Sequence, residues 1–496
     1  MTARPVVPGF HPDPSICRVG DTYWMVHSSF EYAPGVPLYR STDLVSWEQV
    51  GHVLARPDQL DVSAAPGSGG ITACTIRHSA GRFWMITTNL ADGGWQTLVT
   101  AEDPLGEWSA PVRMTEVRGI DPDLAWDDEG TLLVTYAGFD ADGPAGVVQQ
   151  AVDPVTGAAL TERRHLWQGT GGKFPEGPHL YRVGDHWYLL IAEGGTERGH
   201  AVTIARGPSP QGPWEACPHN PLLTARGTDS PVQNTGHADL VQRPDGSWAI
   251  VFHGVRPRGT SPEFHVLGRE TFAAEVHWDD EGWPRLGDWL TPPEDGREVE
   301  ELAGGDLPPA WVSPRRFPAD VITRVEGGWQ LVAADPDTGS EDLAFVGRRQ
   351  EHLTCRARVV LAAGDGVGGL SVRIDARHHL DVAVAGDVVR AVAHAGPFRS
   401  LLGERTVPPG DVVLEVRAVP CEGHFSSTAL APDQLVAGVV AADGGFTELG
   451  RLDGRYVSTE VAGGMTGRLI GVWCSTGSVL VRSFSYAGRD TPGEWS

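Results

Sequence analysis

Residues 13–29 read DPSICRVGDTYWMVHSS, in which a polar residue and a short apolar stretch precede a glycine and a second apolar stretch. Two runs of strand-forming residues on either side of a turn glycine are the pattern of a β-hairpin. The chain returns to this pattern four more times before residue 290, with turn glycines at Gly20, Gly81, Gly130, Gly184 and Gly246. The sequence therefore predicts five related hairpins in succession.

Each hairpin is followed by a further strand-like segment: VPLYRSTDL, TLVTAEDPL, VVQQAVDPV, AVTIARGPS and HVLGRETFA. No segment before residue 290 has the apolar period of about 3.6 residues that is typical of an amphipathic helix. Five sheets of about four strands each, arranged radially, form a β-propeller. We therefore predict a five-bladed β-propeller for this part of the chain.

The composition of the sequence changes near residue 290, where a stretch is rich in proline and acidic residues. New strands with alternating apolar and polar residues follow it, such as LTCRARVVLAA and DVVLEVRAVP. Alternation with Gly- and Asp-rich turns favours a β-sandwich of the jelly-roll type. The predicted fold class is thus all-β, with a propeller at residues 1–295, a linker at 296–312 and a β-sandwich at 313–496.

Composition excludes some partners. The 496 residues carry a formal net charge of −25, and so acidic a surface repels nucleic acid and anionic membrane. The N-terminus, MTARPVVPGF, shows no basic segment followed by an apolar one, and no later stretch approaches the length of a membrane span. We expect a cytoplasmic protein that binds a neutral or cationic ligand, with homo-oligomerisation left open.

In a propeller the first strand of each blade lines the central channel. If the five repeats are in register, one end of these strands carries Asp13, Thr72, Asp121, Glu176 and His237. Any one of these five residues alone would be explained as an ordinary polar residue next to a turn, since polar residues are common next to turns. Four ionisable groups at similar distances from their glycines favour convergence at one mouth of the channel.

Three converging carboxylates suit the hydrolysis of a glycosidic bond. One carboxyl group protonates the departing oxygen, and a second acts on the opposite face of the sugar. The acid must hold its proton near neutral pH, and a neighbouring negative charge raises its pKa. Asp13, Asp121 and Glu176 are therefore candidate catalytic residues with unequal protonation.

The motifs GFHPDPSI, GIDPDL, PEGPHLY, TGHADLV and LGRETF resemble, in this order, those of glycoside hydrolase family 43. This family of five-bladed propellers includes β-xylosidases and α-L-arabinofuranosidases. The segments FVGRRQEH and GLSVRIDARHHLDVAV are similar to the concanavalin-like β-sandwich that follows the propeller in the β-xylosidases. The resemblance implies an inverting reaction, with Asp13 as general base, Asp121 as modulator of the acid's pKa and Glu176 as general acid.

The resemblance also implies a substrate pocket. Arg269 is its expected cation, Phe30 is an aromatic surface for stacking on a sugar ring, and Thr72 replaces a tryptophan that many members carry. His237 has three candidate roles: a hydrogen bond to sugar, a partner for an acid, or a ligand for calcium in the channel. Calcium prefers an oxygen-rich cage, which the sequence does not show. We predict no metal ligand and no required cofactor.

The leading hypothesis is an inverting, exo-acting glycoside hydrolase that releases terminal β-D-xylosyl or α-L-arabinofuranosyl units from small hemicellulose-derived oligosaccharides. An endo-acting, arabinanase-like hydrolase is one alternative. A second is a propeller that binds carbohydrate without catalysis, in which the acids only form hydrogen bonds to hydroxyl groups.

Overall fold

The structure is a computed structural model that describes residues 4–138, 146–293, 296–333, 344–362, 364–421 and 430–490. They divide into two compact units. The first comprises the residues up to Val7, His11–Val255 and Arg269–Pro292, and the second comprises Pro8–Phe10, Arg256–Gly268 and the residues from Pro293 on. Boundaries at residues 295 and 313 stay a prediction.

The first unit consists of five groups of four antiparallel strands. In chain order the strands are Ser15–Val19, Thr22–Val26, Gly35–Ser41 and Glu48–Leu54; Ile71–Ser79, Arg82–Asn89, Trp95–Ala101 and Val112–Trp126; the same Val112–Trp126 with Leu132–Gly138, Val147–Val152 and Arg164–Trp167; Glu176–Val183, His186–Glu193, Ala201–Gly207 and Glu215–Ala216; and Gln233–Gln242, Trp248–Val255, Glu270–Trp278 and Pro284–Leu290. The short strands Tyr32–Ala33 and Leu223–Thr224 lie outside this pattern. Every predicted turn glycine joins the first two strands of its group.

The five groups close into a ring. The first strand of each group lies against the first strand of the next, and the first strand of the fifth group lies against that of the first group. One strand, Val112–Trp126, is at once the outer strand of the second group and the inner strand of the third. The arrangement confirms the predicted five-bladed propeller with a strand-lined channel.

A buried arginine fills the channel between the inner strands. Arg77 of the second blade donates to Asp123 of the third blade at 2.8 Å and to Asp239 of the fifth blade at 2.7 Å. The fourth blade adds His179, whose Nδ1 lies 2.8 Å from Arg77, and the first blade adds Ser15, whose hydroxyl donates to Asp239 at 2.7 Å. One hydrogen-bonded network therefore contains a side chain from every blade.

The charges in this network stabilise one another. Burial lowers the pKa of Arg77, but the carboxylates of Asp239 and Asp123 more than reverse that effect and raise it. Burial likewise raises the pKa of Asp239, and the charge of Arg77 outweighs it, so that the pKa falls to about 2. The Asp239 carboxylate, which has no solvent exposure, thus stays ionised next to a guanidinium group.

Outside the channel the blades pack through apolar faces. Strand alternation places Ile16 and Met25 of the first blade in one buried cluster with Val241 and Val251 of the fifth. A second cluster of the same kind joins the fourth and fifth blades. These clusters are the sheet-on-sheet cores expected when adjacent blades bury their facing residues.

The second unit contains two antiparallel sheets. One consists of Ile322–Val325, Gly328–Val332, Ser478–Arg489, Thr354–Ala362, Val412–Val419, Gln434–Val440 and Phe446–Asp453, with Arg297–Glu301 also paired to Ser478–Arg489; the other consists of Ala344–Arg349, Leu469–Thr476, Val367–Arg373, His378–Ala385, Val388–Ala395 and Phe398–Thr406. Apolar residues of both sheets form one core, which confirms the predicted sandwich. Part of the predicted linker, Arg297–Glu301, is therefore a strand.

Helices are scarce in the described residues. The short elements of the second unit are the strand Ser313–Pro314, the 3-10 turns Pro318–Asp320 and Gly454–Val457, and the single-turn α-helix Thr459–Ala462. No helix in the described ranges is long and apolar enough to cross a bilayer. All six cysteines are free thiols.

Replacing Arg77 by methionine leaves Asp123 and Asp239 buried without their cation. Breaking a buried ion pair from one side costs about 3–5 kcal/mol, so we expect a marked fall in the denaturation midpoint of Arg77→Met. The matched control is Arg40→Met, because Arg40 pairs with Glu48 through side chains that are 45% and 64% exposed. Exposed pairs contribute less than about 1 kcal/mol. Equal midpoints for the two variants would contradict a structural role for the channel network.

Candidate active site

The inner strands all bulge at the same end. In each blade three residues of the first strand oppose two of the second, as the pairing shifts and the hydrogen bond from Ser28 to Pro12 show. The first residues of these bulges are Asp13, Thr72, Asp121, Gly177 and His237, and the fifth blade has a second bulge that begins at Asn234. A β-bulge re-aims a side chain and is common next to active sites.

Four of these five positions have a left-handed backbone. The φ angles are 56° at Asp13, 56° at Asp121, 56° at Gly177 and 45° at His237. Residues other than glycine adopt this region at a cost in free energy, and such strain concentrates at functional sites. The strained positions therefore mark this end of the channel as a site.

Glu176 departs from the predicted register by one residue. It is the first residue of its strand and precedes the bulge, while Gly177 occupies the bulge itself. Glycine is required there because an added Cβ would lie 2.8 Å from Nε2 of His237. The backbone N–H of Gly177 also donates to Asp121 Oδ2 at 3.3 Å, which ties the third and fourth blades together at the mouth.

Asp13 is surrounded by a hydroxyl group, a guanidinium group and two imidazoles. The hydroxyl of Ser28 donates to Oδ2 at 2.6 Å, and Arg269 donates to Oδ1 at 2.7 Å. Nδ1 of His253 lies 3.0 Å from Oδ1 and Nδ1 of His237 lies 3.4 Å from it. Burial raises the pKa of Asp13, but Arg269 and the two histidines outweigh it and hold the pKa well below its usual range.

The pKa values of the other two carboxyl groups, Glu176 and Asp121, are shifted in the opposite direction, which is upward. Burial and the negative charge of Asp13 raise the pKa of Glu176 to about 7, although Arg269 opposes the shift. Burial and the charges of Glu176 and Asp13 raise the pKa of Asp121 well above its usual range. The negative charge of Asp13 thus opposes the ionisation of both Glu176 and Asp121, which places the three carboxyl groups close to one another at the mouth of the channel.

Arg269 and Phe30 lie beside Asp13. The guanidinium carbon of Arg269 is 5.8 Å from the centre of the Phe30 ring, within range of a cation–π contact. Phe30 has a φ angle of 49° and is held by two backbone hydrogen bonds to Ile71. The structure thus brings together Asp13, Arg269 and Phe30, as predicted, although their roles toward a substrate stay predictions.

His237 and Thr72 differ in their surroundings. His237 is buried, and burial together with neighbouring positive groups lowers its pKa to about 3 although Asp13 opposes the shift, so the imidazole is neutral. Thr72 is half-buried and its hydroxyl donates to the carbonyl of Thr88 at 3.3 Å. Among the described residues Thr72 has no hydrogen bond to the three acids, and its binding role stays a prediction.

Sequence patterns missed three residues of this pocket: Ser28, His253 and Thr196. The hydroxyl of Thr196 lies 3.4 Å from the same nitrogen of Arg269 that binds Asp13. His253 is fully buried and also contacts His200, with 3.3 Å between Nε2 and Nδ1. Ser28 and His253 follow or lie in second strands, where the repeat gives no signal, and Thr196 lies in a loop.

Calcium does not fit the cluster around His237. Donor atoms of Asp13, His237 and His253 lie within 4.8 Å of one another. Calcium requires about six to eight oxygen ligands, whereas this set offers one carboxylate and two imidazoles. Arg269 already occupies Oδ1 of the carboxylate. No catalytic step is therefore assigned to a metal ion.

A carboxylate of lowered pKa together with two carboxyl groups of raised pKa, at the mouth of a closed propeller, is what a glycoside hydrolase that works through carboxyl groups requires. The chain belongs to glycosyl hydrolase family 43. Residues 2–284 match the family described as Glycosyl hydrolases family 43, and residues 300–482 match the Beta xylosidase C-terminal Concanavalin A-like domain. These matches confirm the resemblance seen in the motifs.

Individual relatives extend this assignment. The chain is 35% identical to a non-reducing end α-L-arabinofuranosidase of Bacteroides ovatus, over 95% of this chain and 91% of that protein. It is 38% identical to a β-xylosidase of Bacillus subtilis, over 57% of this chain and 56% of the relative. The crystal structure of a xylan β-1,4-xylosidase from Bacillus halodurans superimposes with a TM-score of 0.85 at 27% identity, covering 98% of this chain and 100% of that one.

Gly177→Ala should disable the site through His237. Alanine at a left-handed position costs about 1–2 kcal/mol, and the new Cβ would in addition displace the imidazole next to Glu176. A displacement of about 1 Å at a catalytic site can cost about 100-fold in rate, so we expect a loss of that order in kcat/KM on a chromogenic glycoside.

The turn glycine of the same hairpin is the matched control for this variant. Gly184 has a similar φ of 60°, and within the described chain nothing lies within 4 Å of the point that an added Cβ would occupy. Gly184→Ala should therefore lose similar stability and keep its activity. Equal activities of the two variants would show that the contact between Gly177 and His237 does not matter.

Proposed function

We propose that this chain is an inverting, exo-acting glycosidase that releases terminal β-D-xylosyl or α-L-arabinofuranosyl units from hemicellulose-derived oligosaccharides. The observation that carries the proposal is the opposite protonation of Asp13 and Glu176 in one pocket. The names of the relatives, a non-reducing end α-L-arabinofuranosidase and β-xylosidases, support both the sugar and the exo mode.

The reaction proceeds in one displacement. Ionised Asp13 takes a proton from a water molecule, whose oxygen attacks the anomeric carbon. The glycosidic C–O bond breaks as Glu176 gives its proton to the departing oxygen. Asp13 ends protonated and Glu176 ionised, and exchange with solvent restores both groups.

The remaining groups set the conditions for this displacement. Arg269, Ser28 and His253 fix the Asp13 carboxylate at a defined position, which a base acting through water requires. Asp121 shares the mouth of the channel with Glu176, whose negative charge helps to raise the pKa of Asp121; the role of Asp121 as modulator of the acid's pKa stays a prediction. Phe30, Arg269 and His237 would contact the terminal sugar.

The alternatives receive less support. Membership of a hydrolase family argues against a propeller that only binds carbohydrate. An endo-arabinanase of Bacillus subtilis matches only 22% of this chain, whereas the arabinofuranosidase matches 95% of it. A cytoplasmic location and a homo-oligomeric state stay predictions.

The decisive assay compares p-nitrophenyl β-D-xyloside with p-nitrophenyl α-L-arabinofuranoside, on the wild type and on Glu176→Ala. The wild type should release nitrophenol from at least one of them. Loss of a general acid lowers the rate by about 100- to 10,000-fold, least with a good leaving group. Because nitrophenol is a good leaving group, the same comparison is made with xylobiose. Equal turnover of xylobiose by both proteins would refute catalysis by Glu176, and no release from any of these substrates by the wild type would refute the proposed activity.

The same reaction followed by NMR reports the stereochemistry. With a β-xyloside, a water-mediated displacement forms α-xylose first, and the β-anomer then appears only by mutarotation. If β-xylose formed first, the product would have kept its configuration, and Asp13 would not act through water.

The activity should fall as the pH rises through about 7, because Glu176, whose pKa is about 7, then loses the proton it must donate. The low pKa of Asp13 keeps the base ionised in acidic buffer. Arg269→Gln removes a positive charge that lowers both pKa values, so both limbs of its kcat/KM profile should move to higher pH. A profile that stays level from neutral to strongly alkaline pH would contradict Glu176 as the acid.

A further inference from the structure

Phe174 is an exposed aromatic residue at the entrance to the active site. It lies two residues before Glu176, is 65% exposed and has a φ angle of 48°. A single exposed apolar residue is ordinary on a protein surface. A bulky residue in the left-handed region is not ordinary, because it costs free energy that other contacts must offset.

The loop before Phe174 is held by a buried carboxylate. Glu193, which is 3% exposed, accepts two hydrogen bonds from the backbone N–H of Thr170, at 3.0 and 3.1 Å, and a further bond from its hydroxyl. The N–H of Gly194 donates to the carbonyl of Lys173 at 2.7 Å. The aromatic side chain therefore projects from a firmly held backbone.

Two contacts place the ring at the rim of the pocket. The Phe174 ring lies over Gly195, since a Cβ added there would be 3.3 Å from its Cδ2. The next residue, Thr196, reaches Arg269 inside the pocket. The position of the ring relative to the pocket is thus fixed in two ways. One is its contact with Gly195, whose neighbour Thr196 reaches Arg269, and the other is the short chain segment that leads to Glu176.

We propose that Phe174 is the stacking platform for the sugar ring on the leaving-group side of the cleaved bond. Glu176 protonates the departing oxygen, so the ring that carries this oxygen lies on the side of Glu176. A xylopyranose ring presents a flat C–H face, and covering an exposed aromatic face with it removes apolar surface from water. This inference rests on the proposed function and specifies the second sugar of its substrate.

The test compares two substrates that differ only in that second ring: xylobiose and methyl β-D-xyloside, or arabinofuranosyl-xylose and methyl α-L-arabinofuranoside. Both members of a pair release an alcohol of similar acidity. The ratio of kcat/KM for the oligosaccharide to that for the methyl glycoside should fall about tenfold in Phe174→Ala, mainly through KM, because one aromatic contact is lost. Phe174→Trp should keep the ratio of the wild type.

Leu105→Ala is the control for truncating an exposed apolar side chain, since Leu105 is 52% exposed in a turn of the second blade. It should leave the ratio unchanged. An unchanged ratio in Phe174→Ala, or an equal loss on both substrates, would overturn the platform. Failure of the proposed function would give a different result: no release by the wild type, or full activity of Glu176→Ala. In that case calorimetry still tests the platform, because xylobiose should bind more weakly to Phe174→Ala than to the wild type.

Discussion

The propeller depends on a buried cation shared between blades. Arg77 binds Asp123 and Asp239, and these groups with His179 and Ser15 join all five inner strands. The apolar clusters hold neighbouring blades together, but they do not define how five strands meet at one axis. The guanidinium group of Arg77 does define this meeting point, because its N–H donors have fixed directions and bind carboxylates only in a narrow set of orientations. The geometry of the channel is therefore determined by the Arg77 network, which lies below the site, and does not depend on a substrate.

Above this network the five strands repeat one backbone feature and differ in chemistry. The bulge is common to all blades, while its first residue is Asp13, Thr72, Asp121, Gly177 or His237. Donors surround Asp13, whereas the other acids lie against each other and against its charge. A symmetric scaffold thus produces opposite pKa shifts of Asp13 and Glu176 at one mouth of the channel, as a displacement by water requires.

Much of this was predictable because the signals were local and repeated. Turn glycines and alternating strands predicted the propeller, and register within the repeats predicted that Asp13 would meet the other acids. Glu176 was misplaced by one residue because hairpin lengths vary, and Gly177 fills the bulge in its blade. Arg77 and His253 were not predicted, since an arginine in an apolar strand or a histidine in a second strand acquires meaning only from residues in other blades.

The strand Val112–Trp126 has a consequence for how such an enzyme diversifies. The other inner strands are reached by crossover segments, residues 55–70, 168–175 and 225–232, each of which delivers the chain to the mouth of the pocket. Inserted or deleted residues are tolerated in such segments and would remodel the entrance there. Between the second and third blades no crossover exists, because one continuous strand leads to Asp121. Change in the crossover segments therefore has three places to act on the entrance, in addition to the loops that carry Phe30 and Thr196, whereas the continuous strand that leads to Asp121 offers none.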